Sequence, residues 1–321
     1  MQSDKQTDYS RRLDMSARAG WLYYVAGYKQ DQIAQMLHVS RQTAQRLVAM
    51  ATKEKLIGFR LQHPIMRCMD LAEQLSKAFN LKKCEVVPSV SEDAESIVGL
   101  AQAGAAAMEH ELAGPDGRLV AVGTGRTLRS CVEELTAMNR PDHTIVALLG
   151  ETMPGGQSTA YNVVVRMADR INASYYPMLL PLYAQNAKER ELYRLLDMAK
   201  QTLQKAQNVD VTFVGLGHIG LDAPLFVDGF MTEEEVHSYI EAGAVGEITG
   251  WLFDENGRVI EGYANDRVNS VPLMPHHEKL VYGIASGTPR VPAIRAAMRG
   301  GLINCLITNE ATAELILVDG G

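Results

Sequence analysis

The chain has 321 residues, 46% of them hydrophobic and 21% charged, which excludes a globally disordered protein and is too long for one average domain. It has no continuous apolar run of about 18 residues, so a helical membrane span is excluded, and the polar start MQSDKQTDYSRRL does not read as a signal peptide. The net charge of −7 is unevenly spread: residues 1–63 hold ten Lys/Arg and five Asp/Glu, whereas the other 258 residues hold 21 and 33. A basic segment ahead of an acidic body suits nucleic-acid binding confined to the N-terminus. The four cysteines, at 68, 84, 131 and 305, have no metal-ligand spacing. They fit reduced thiols in a cytoplasmic protein without a metal or cofactor.

Met15, Ala19, Leu22 and Ala26 recur at helical spacing and predict a helix over about Arg11–Ala26, on which Trp21, Tyr23 and Tyr24 should be packing residues. The stretch Tyr28–Gly58 reads as two short helices joined by a tight turn. Ile33, Ala34 and Leu37 mark the first helix, His38-Val39 the turn, and Ser40 the N-cap of the second. In the second, Ala44, Leu47, Val48 and Ala51 share one inward face. Arg41, Gln42, Thr43, Gln45 and Arg46 are left outside, a donor-rich row suited to base edges and phosphates in a major groove. An ordinary helical hairpin with a solvated face has the same periodicity. The acid-free row, starting just after a Ser cap within a basic segment, favours DNA. Phe59–His63 alternates like a short strand that could form a wing, ended by Pro64. This assigns residues 1–63 to a helix-turn-helix DNA-binding domain. Residues 64–80 form a connector helix, with Leu71, Leu75 and Ala78 on one side, that could also pair subunits.

From residue 81 to 321, short apolar runs alternate with helical segments. The runs are CEVVPSV, RLVAVG, TIVALLG, SYYPMLL, VDVTFVGLG, KLVYGIAS and LINCLIT. The helices fall at about Ala94–Leu112, after Thr127, and at Ser158–Ile171, Lys188–Ala206, Val291–Met298 and Glu310–Leu317. This alternation predicts an α/β domain with a mainly parallel sheet.

Ligands of open α/β sheets bind beyond the carboxyl ends of the strands, where three glycine-rich stretches fall. Gly123-Thr124-Gly125-Arg126-Thr127 offers close backbone approach, hydroxyls and a charge at a helix start. It fits a tight strand-to-helix turn as well as a phosphate cradle. Gly215–Gly220 spells GxGxxG, but LDAPLF opens no amphipathic helix after it, so no dinucleotide is expected. His218 within it is a candidate ligand contact or a structural loop histidine. Ala285–Arg290 places Arg290 near a helix start as an anion partner. Glu247 and Asp254, in GEITGWLFDENG, are candidate acid/base groups, although Asp254–Gly257 is more simply a hairpin turn. His276-His277 has no accompanying ligand cluster, and no convincing catalytic set emerges.

The stretches IAQMLHVSRQTAQRLV, VGTGRTL, VGLGHIG, GEITGWLFDENG and AAMRGGLINCLITNEATAELIL occur in the order found in the SorC family of sugar-binding bacterial transcriptional regulators, sometimes grouped with DeoR-type repressors. The whole chain resembles that family. The resemblance implies a C-terminal effector domain related in fold to glucosamine-6-phosphate deaminase and ribose-5-phosphate isomerase, without their activity. It implies operator DNA, a sugar, polyol or sugar-phosphate effector, and a homodimer or homotetramer as partners. It places the effector at Gly123, Thr124, Gly125, Arg126 and Thr127, near Gly217, His218, Glu247, Asp254 and Arg290. Arg290 stands where the family usually has lysine, Thr124 where many members have Trp, and His38 where Gly is frequent. The competing reading is a sugar-phosphate isomerase or deaminase with a helical N-terminus, using Glu247, Asp254 or His218 as acid/base groups.

Overall fold

Seven of the short apolar runs become the seven strands of one parallel sheet. They are β1 Lys83–Val87, β2 Leu119–Val122, β3 Thr144–Ala147, β4 Ser174–Tyr176, β5 Val211–Gly215, β8 Leu280–Ile284 and β9 Cys305–Asn309. Two more, β6 Ala244–Ile248 and β7 Trp251–Asp254, form a separate antiparallel hairpin. The computed structural model describes residues 2–54, 56–58, 65–90, 97–150, 152, 157, 161–275 and 278–318. It divides into two compact units, 1–63 and 64–321. The Phe59–His63 strand, Pro64 and His276-His277 lie outside the described residues.

In the first unit, α1 (Gln2–Gly20) runs into a π-helical turn, Trp21–Val25. Ala26 N–H donates to the Trp21 carbonyl at 3.0 Å, the i+5 spacing of that wider turn. The widening shifts the helical phase after Gly20, and the expected inward face is only partly realised. Ser16, Ala19 and Gly20 are buried, whereas Met15 and Ala26 are exposed. The same shift turns out Trp21, Tyr23 and Tyr24, which are 54%, 38% and 41% exposed rather than packed.

Next come α2 (Gln30–Met36) and α3 (Arg41–Lys53). The turn between them takes a left-handed residue, His38, at φ 53°. Val39 N–H reaches the Ala34 carbonyl at 2.9 Å, and His38 N–H that of Gln35 at 3.3 Å, so α2's last carbonyls are satisfied. Thr43 N–H then donates to Ser40 Oγ at 3.1 Å, capping α3. Ala44, Leu47, Val48 and Ala51 are buried as the spacing predicts, and Ala44, Leu47 and Val48 pack with Ala19, Ile33 and Ala34.

In the second unit the strand order is β1-β9-β8-β5-β2-β3-β4. Alternate residues of each strand point to opposite faces, and two apolar clusters divide accordingly. Val120, Val122, Ile145, Val211, Phe213, Tyr282, Ile284 and Ile307 belong to one face. It is covered by α5 (Leu100–Leu112), α6 (Arg126–Glu134) and α7 (Val163–Ile171). Ala121, Val146, Val214, Val281 and Leu306 belong to the other. Against that face pack α4 (Met66–Phe79), α11 (Glu233–Glu241), α12 (Val291–Arg299), α13 (Glu310–Val318) and the β6–β7 hairpin. Helix α4, expected as a connector, thus buries Cys68, Leu71 and Leu75 in this second unit, against β1 and α13.

Two helices depart from the sequence pattern. The run expected over Lys188–Ala206 breaks into α8 (Ala187–Leu195) and α9 (Asp197–Gln207), because Leu196 is extended at ψ 132°. Helix α8 is drawn away by its arginines: Arg190 Nε donates to the Val268 carbonyl at 2.7 Å, and Arg194 Nη2 to that of Ser270 at 3.2 Å. Helix α11, after a single helical turn at Pro224–Val227 (α10), follows the LDAPLF stretch. It opens on a capping box between Thr232 and Glu235.

Two contacts that hold this frame are testable. A Cβ on Gly150, three residues past β3, would fall 1.6 Å from the Leu180 carbonyl oxygen, where only backbone movement gives relief. Gly150→Ala should therefore cost about 1–3 kcal/mol or more in thermal unfolding. Glu111, 3% exposed, accepts from Lys83 and Arg118 at 2.6 Å each and from the Tyr282 hydroxyl at 2.7 Å. Burial alone would raise its pKa, but these donors outweigh it and hold the carboxyl below its ordinary value. Its stabilising effect is present above the unfolded pKa and lost as pH falls through the folded one. Glu111→Gln should cost about 1–3 kcal/mol at neutral pH, discounted because Lys83 and Arg118 stay over a third exposed. The gap from the parent should close on acidification in parallel chemical-denaturation curves.

Candidate functional site

Beyond β2 the chain turns into α6 on one face of the sheet, and beyond β5 it passes to α10 and α11 on the other. The adjacent carboxyl ends of β2 and β5 therefore part in opposite directions, which opens a crevice at the switch point of the topology. A cavity of about 410 Å³ fills it.

Its walls carry Gly123, Thr124 and Gly125 from the loop after β2, Arg126 and Thr127 from the start of α6, and Gly215–Gly217 from the end of β5 and the loop after it. Glu247 and Thr249 come from the hairpin, and Ser286 and Arg290 from the loop after β8. Two glycines make the turns that aim these loops. Gly125 before α6 has φ 117°, ψ 170°, and Gly287 before α12's leading turn has φ 114°, ψ 140°. Side-chain-bearing residues rarely adopt this conformation, so each strand can switch abruptly to a helix start facing the cavity. Arg290 is held there as its Nη1 donates to the Ser286 carbonyl at 2.9 Å.

The GxGxxG spelling has a structural explanation unconnected with a dinucleotide. Gly217 N–H donates to the Glu247 carbonyl at 3.0 Å, and Glu247 N–H to that of Gly217 at 2.9 Å. A Cβ on Gly217 would lie 2.3 Å from Glu247 Oε1, so glycine lets the hairpin cross the end of β5. Glu247 Oε2 also accepts from Gly250 N–H at 2.9 Å. Burial raises the pKa of this carboxyl, opposed by the Gly250 hydrogen bond and by the charge of Arg290.

Opposite it lies a group that sequence reasoning missed. Tyr161 and Asp228 line the cavity, with the Tyr161 hydroxyl 3.4 Å from Asp228 Oδ2. The Arg126 guanidinium is held above its ordinary pKa chiefly by its hydrogen bond to Tyr161, with a smaller contribution from Asp228. No local motif announces these two residues: they are 67 positions apart. Phe230, Leu182 and Leu225 add apolar wall.

Two expected contacts stand apart from the cavity wall. Asp254 is a turn residue, its Oδ1 accepting from the N–H groups of Asn256 and Arg258 at 2.9 Å each. Gly257 has the positive φ, 74°, expected of that turn. His218 is buried outside the lining, its Nε2 3.2 Å from Asp222 Oδ1. Among the described residues, no group of three or more His, Cys, Asp or Glu could hold a metal.

In the N-terminal unit, Ser40, Arg41, Gln42, Thr43, Gln45 and Arg46 are all exposed along the first turns of α3. Ser40 and Thr43 are engaged with each other, their hydroxyls 2.8 Å apart, and Arg41 pairs with Asp31 of α2 at 3.2 Å. Gln42, Gln45 and Arg46 complete the outward row.

The Sugar-bind family model, a sugar-binding domain, matches residues 63–318. The erythritol catabolism regulatory protein EryD of Brucella abortus is 28% identical over 303 residues, covering 94% of this chain and 96% of that protein. The deoxyribonucleoside regulator of Bacillus subtilis is 28% identical over 321 residues, covering 96% and 98%. Among solved structures, the full-length sorbitol operon regulator SorC from Klebsiella pneumoniae superposes with a TM-score of 0.72 at 25% identity, over 95% of this chain and 98% of that one. All three are named as regulators, which decides against the isomerase or deaminase alternative. The chain belongs to the SorC/DeoR-type family of sugar-binding transcriptional regulators.

Proposed function

We propose that this regulator controls a carbohydrate or polyol operon from the cytoplasm, binding operator DNA as a homodimer or homotetramer through α3 and a sugar, polyol or sugar phosphate in the cavity. The observation that carries this reading is the cavity. It sits at the switch point of the sheet and lines a small space with two arginines, two carboxylates and glycine-exposed backbone. Hydroxyl groups both donate and accept, so a polyhydroxylated molecule can satisfy guanidinium and carboxylate groups together. The backbone N–H groups at the start of α6, beside Arg126, would receive an anionic end where the effector has one.

In the N-terminal unit, Gln42 and Gln45 are suited to base edges, and Arg41 and Arg46 to bases or phosphates. Ser40 and Thr43, bonded to each other, cap the helix and leave lone pairs and protons for the phosphate backbone. The effector acts by binding one arrangement of the subunits better than another, so DNA affinity changes by the same coupling factor. The domain limits are 1–63 for DNA binding, 64–80 for the connector and 81–321 for effector binding and assembly.

Fluorescence anisotropy on the protein's own upstream DNA tests both halves. Arg46→Ala should weaken binding, with the slope of log affinity against log salt falling by about 1. Unchanged affinity across the salt series would remove Arg46 from the interface. Arg126→Ala should leave ligand-free DNA binding intact and blunt the response to effector. A variant that responds as the parent does would place the effector elsewhere.

A further inference from the structure

The β6–β7 hairpin turns through Thr249 and Gly250, both left-handed, at φ 51° and 86°. Two positive-φ residues are what a tight two-residue hairpin requires, but glycine, asparagine and aspartate are the residues that accept it. Thr249 is β-branched, and its Cβ substituents crowd the backbone in this conformation. Among the described residues, the other positive-φ residues with side chains are His38, Asn80, Asn162 and Asn172. Thr249 alone among them is β-branched.

The surrounding structure holds it there from several sides. The Ser270 hydroxyl donates to the Thr249 carbonyl at 2.6 Å, and the Tyr183 hydroxyl to the Gly250 carbonyl at 2.8 Å. Gly250 N–H is taken by Glu247 at 2.9 Å. The Thr249 methyl lies against Gly123, where a Cβ would be 3.5 Å away. Packing and backbone thus have their partners, yet Thr249 lines the cavity and its hydroxyl makes no hydrogen bond among the described residues. A strained residue fixed this firmly, with its one polar side-chain atom unspent in a cavity, has the form of a ligand contact.

We infer that Thr249 is a specificity-determining residue whose hydroxyl, beside the Glu247 carboxylate, reads a hydroxyl group of the effector. This rests on the reading of the cavity as the effector site. The hairpin presents a hydroxyl and a carboxylate two residues apart on one strand end, a pair that can donate to and accept from neighbouring hydroxyls of a polyol chain or sugar ring. The strained backbone keeps the hydroxyl in place before the ligand arrives, so less ordering is required on binding.

The test measures thermal stability of the full chain with and without erythritol, sorbitol and 2-deoxyribose 5-phosphate, followed by titration with whichever compound shifts the parent protein. Thr249→Val keeps the shape and the strain but deletes the hydroxyl. It should melt near the parent and bind roughly tenfold more weakly, the loss of one hydrogen bond in a polar site. Thr249→Ser should restore binding. Thr249→Gly relieves the strain, so it should melt higher by roughly 2–4 °C while losing affinity as the valine variant does. Equal affinities for the parent and the Val and Gly variants would overturn the assignment of Thr249 and leave the cavity reading standing. A parent protein shifted by none of the three compounds would count against both.

Discussion

The reciprocal hydrogen bonds between Gly217 and Glu247 are the constraint on which the rest of the cavity depends. A parallel sheet with opposed crossovers makes a crevice at its switch point, but such a crevice is open to solvent on the side away from the strands. Here the β6–β7 hairpin is drawn over the end of β5 by that short antiparallel bridge. Its tip then meets Gly123 after β2, so one hairpin joins the loops of two neighbouring strands. Side chains at Gly217 or Gly246 would prevent the approach, since a Cβ on Gly246 would lie 2.2 Å from that of Ala293.

Within the enclosure, the charged groups have polar or charged neighbours. Arg126 is engaged by Tyr161 with Asp228 behind it, and Arg290 acts on Glu247. Burial penalises the Glu247 carboxylate, and the Gly250 hydrogen bond and the charge of Arg290 offset part of that cost without a ligand. These contacts set a condition on any occupant: it must replace the hydrogen bonds it disrupts. A molecule rich in hydroxyls meets that condition better than an apolar one, because each hydroxyl can be donor and acceptor.

The N-terminal unit is ordered by different means. Its core is small, built from Ala19, Ile33, Ala34, Ala44, Leu47 and Val48, so the local devices carry more of the specification. The left-handed His38 closes α2, and Ser40 opens α3 two residues later. Together they set the angle at which α3 leaves the turn and presents Arg41, Gln42, Gln45 and Arg46 outward. The exposed aromatic residues of the π turn belong to the same unit, and a phase shift in the helix rather than the composition put them outside.

Much of this was legible in residue order alone. All seven sheet strands were marked by short apolar runs. The inner strands, buried on both faces, need apolar residues at nearly every position, and the edge strands β1 and β4 continue into apolar residues though they are only partly buried themselves. The inward face of α3, its Ser40 cap and the Gly257 turn were legible for equally local reasons. The glycine loops were recognisable as cavity formers, and eight of the ten candidate effector contacts line the cavity. What sequence could not supply was anything made by distant pairing. Tyr161 and Asp228 meet Arg126 only because the loops after β2 and β5 are brought together, and Asp254 leaves the cavity because its own turn takes its carboxylate. The break at Leu196 and the π turn at Trp21 are likewise decided by packing, since each overrides a continuous helical pattern. Local chemistry specified the elements and their ends; the order of the strands, set by burial over the whole chain, decided which loops share a site.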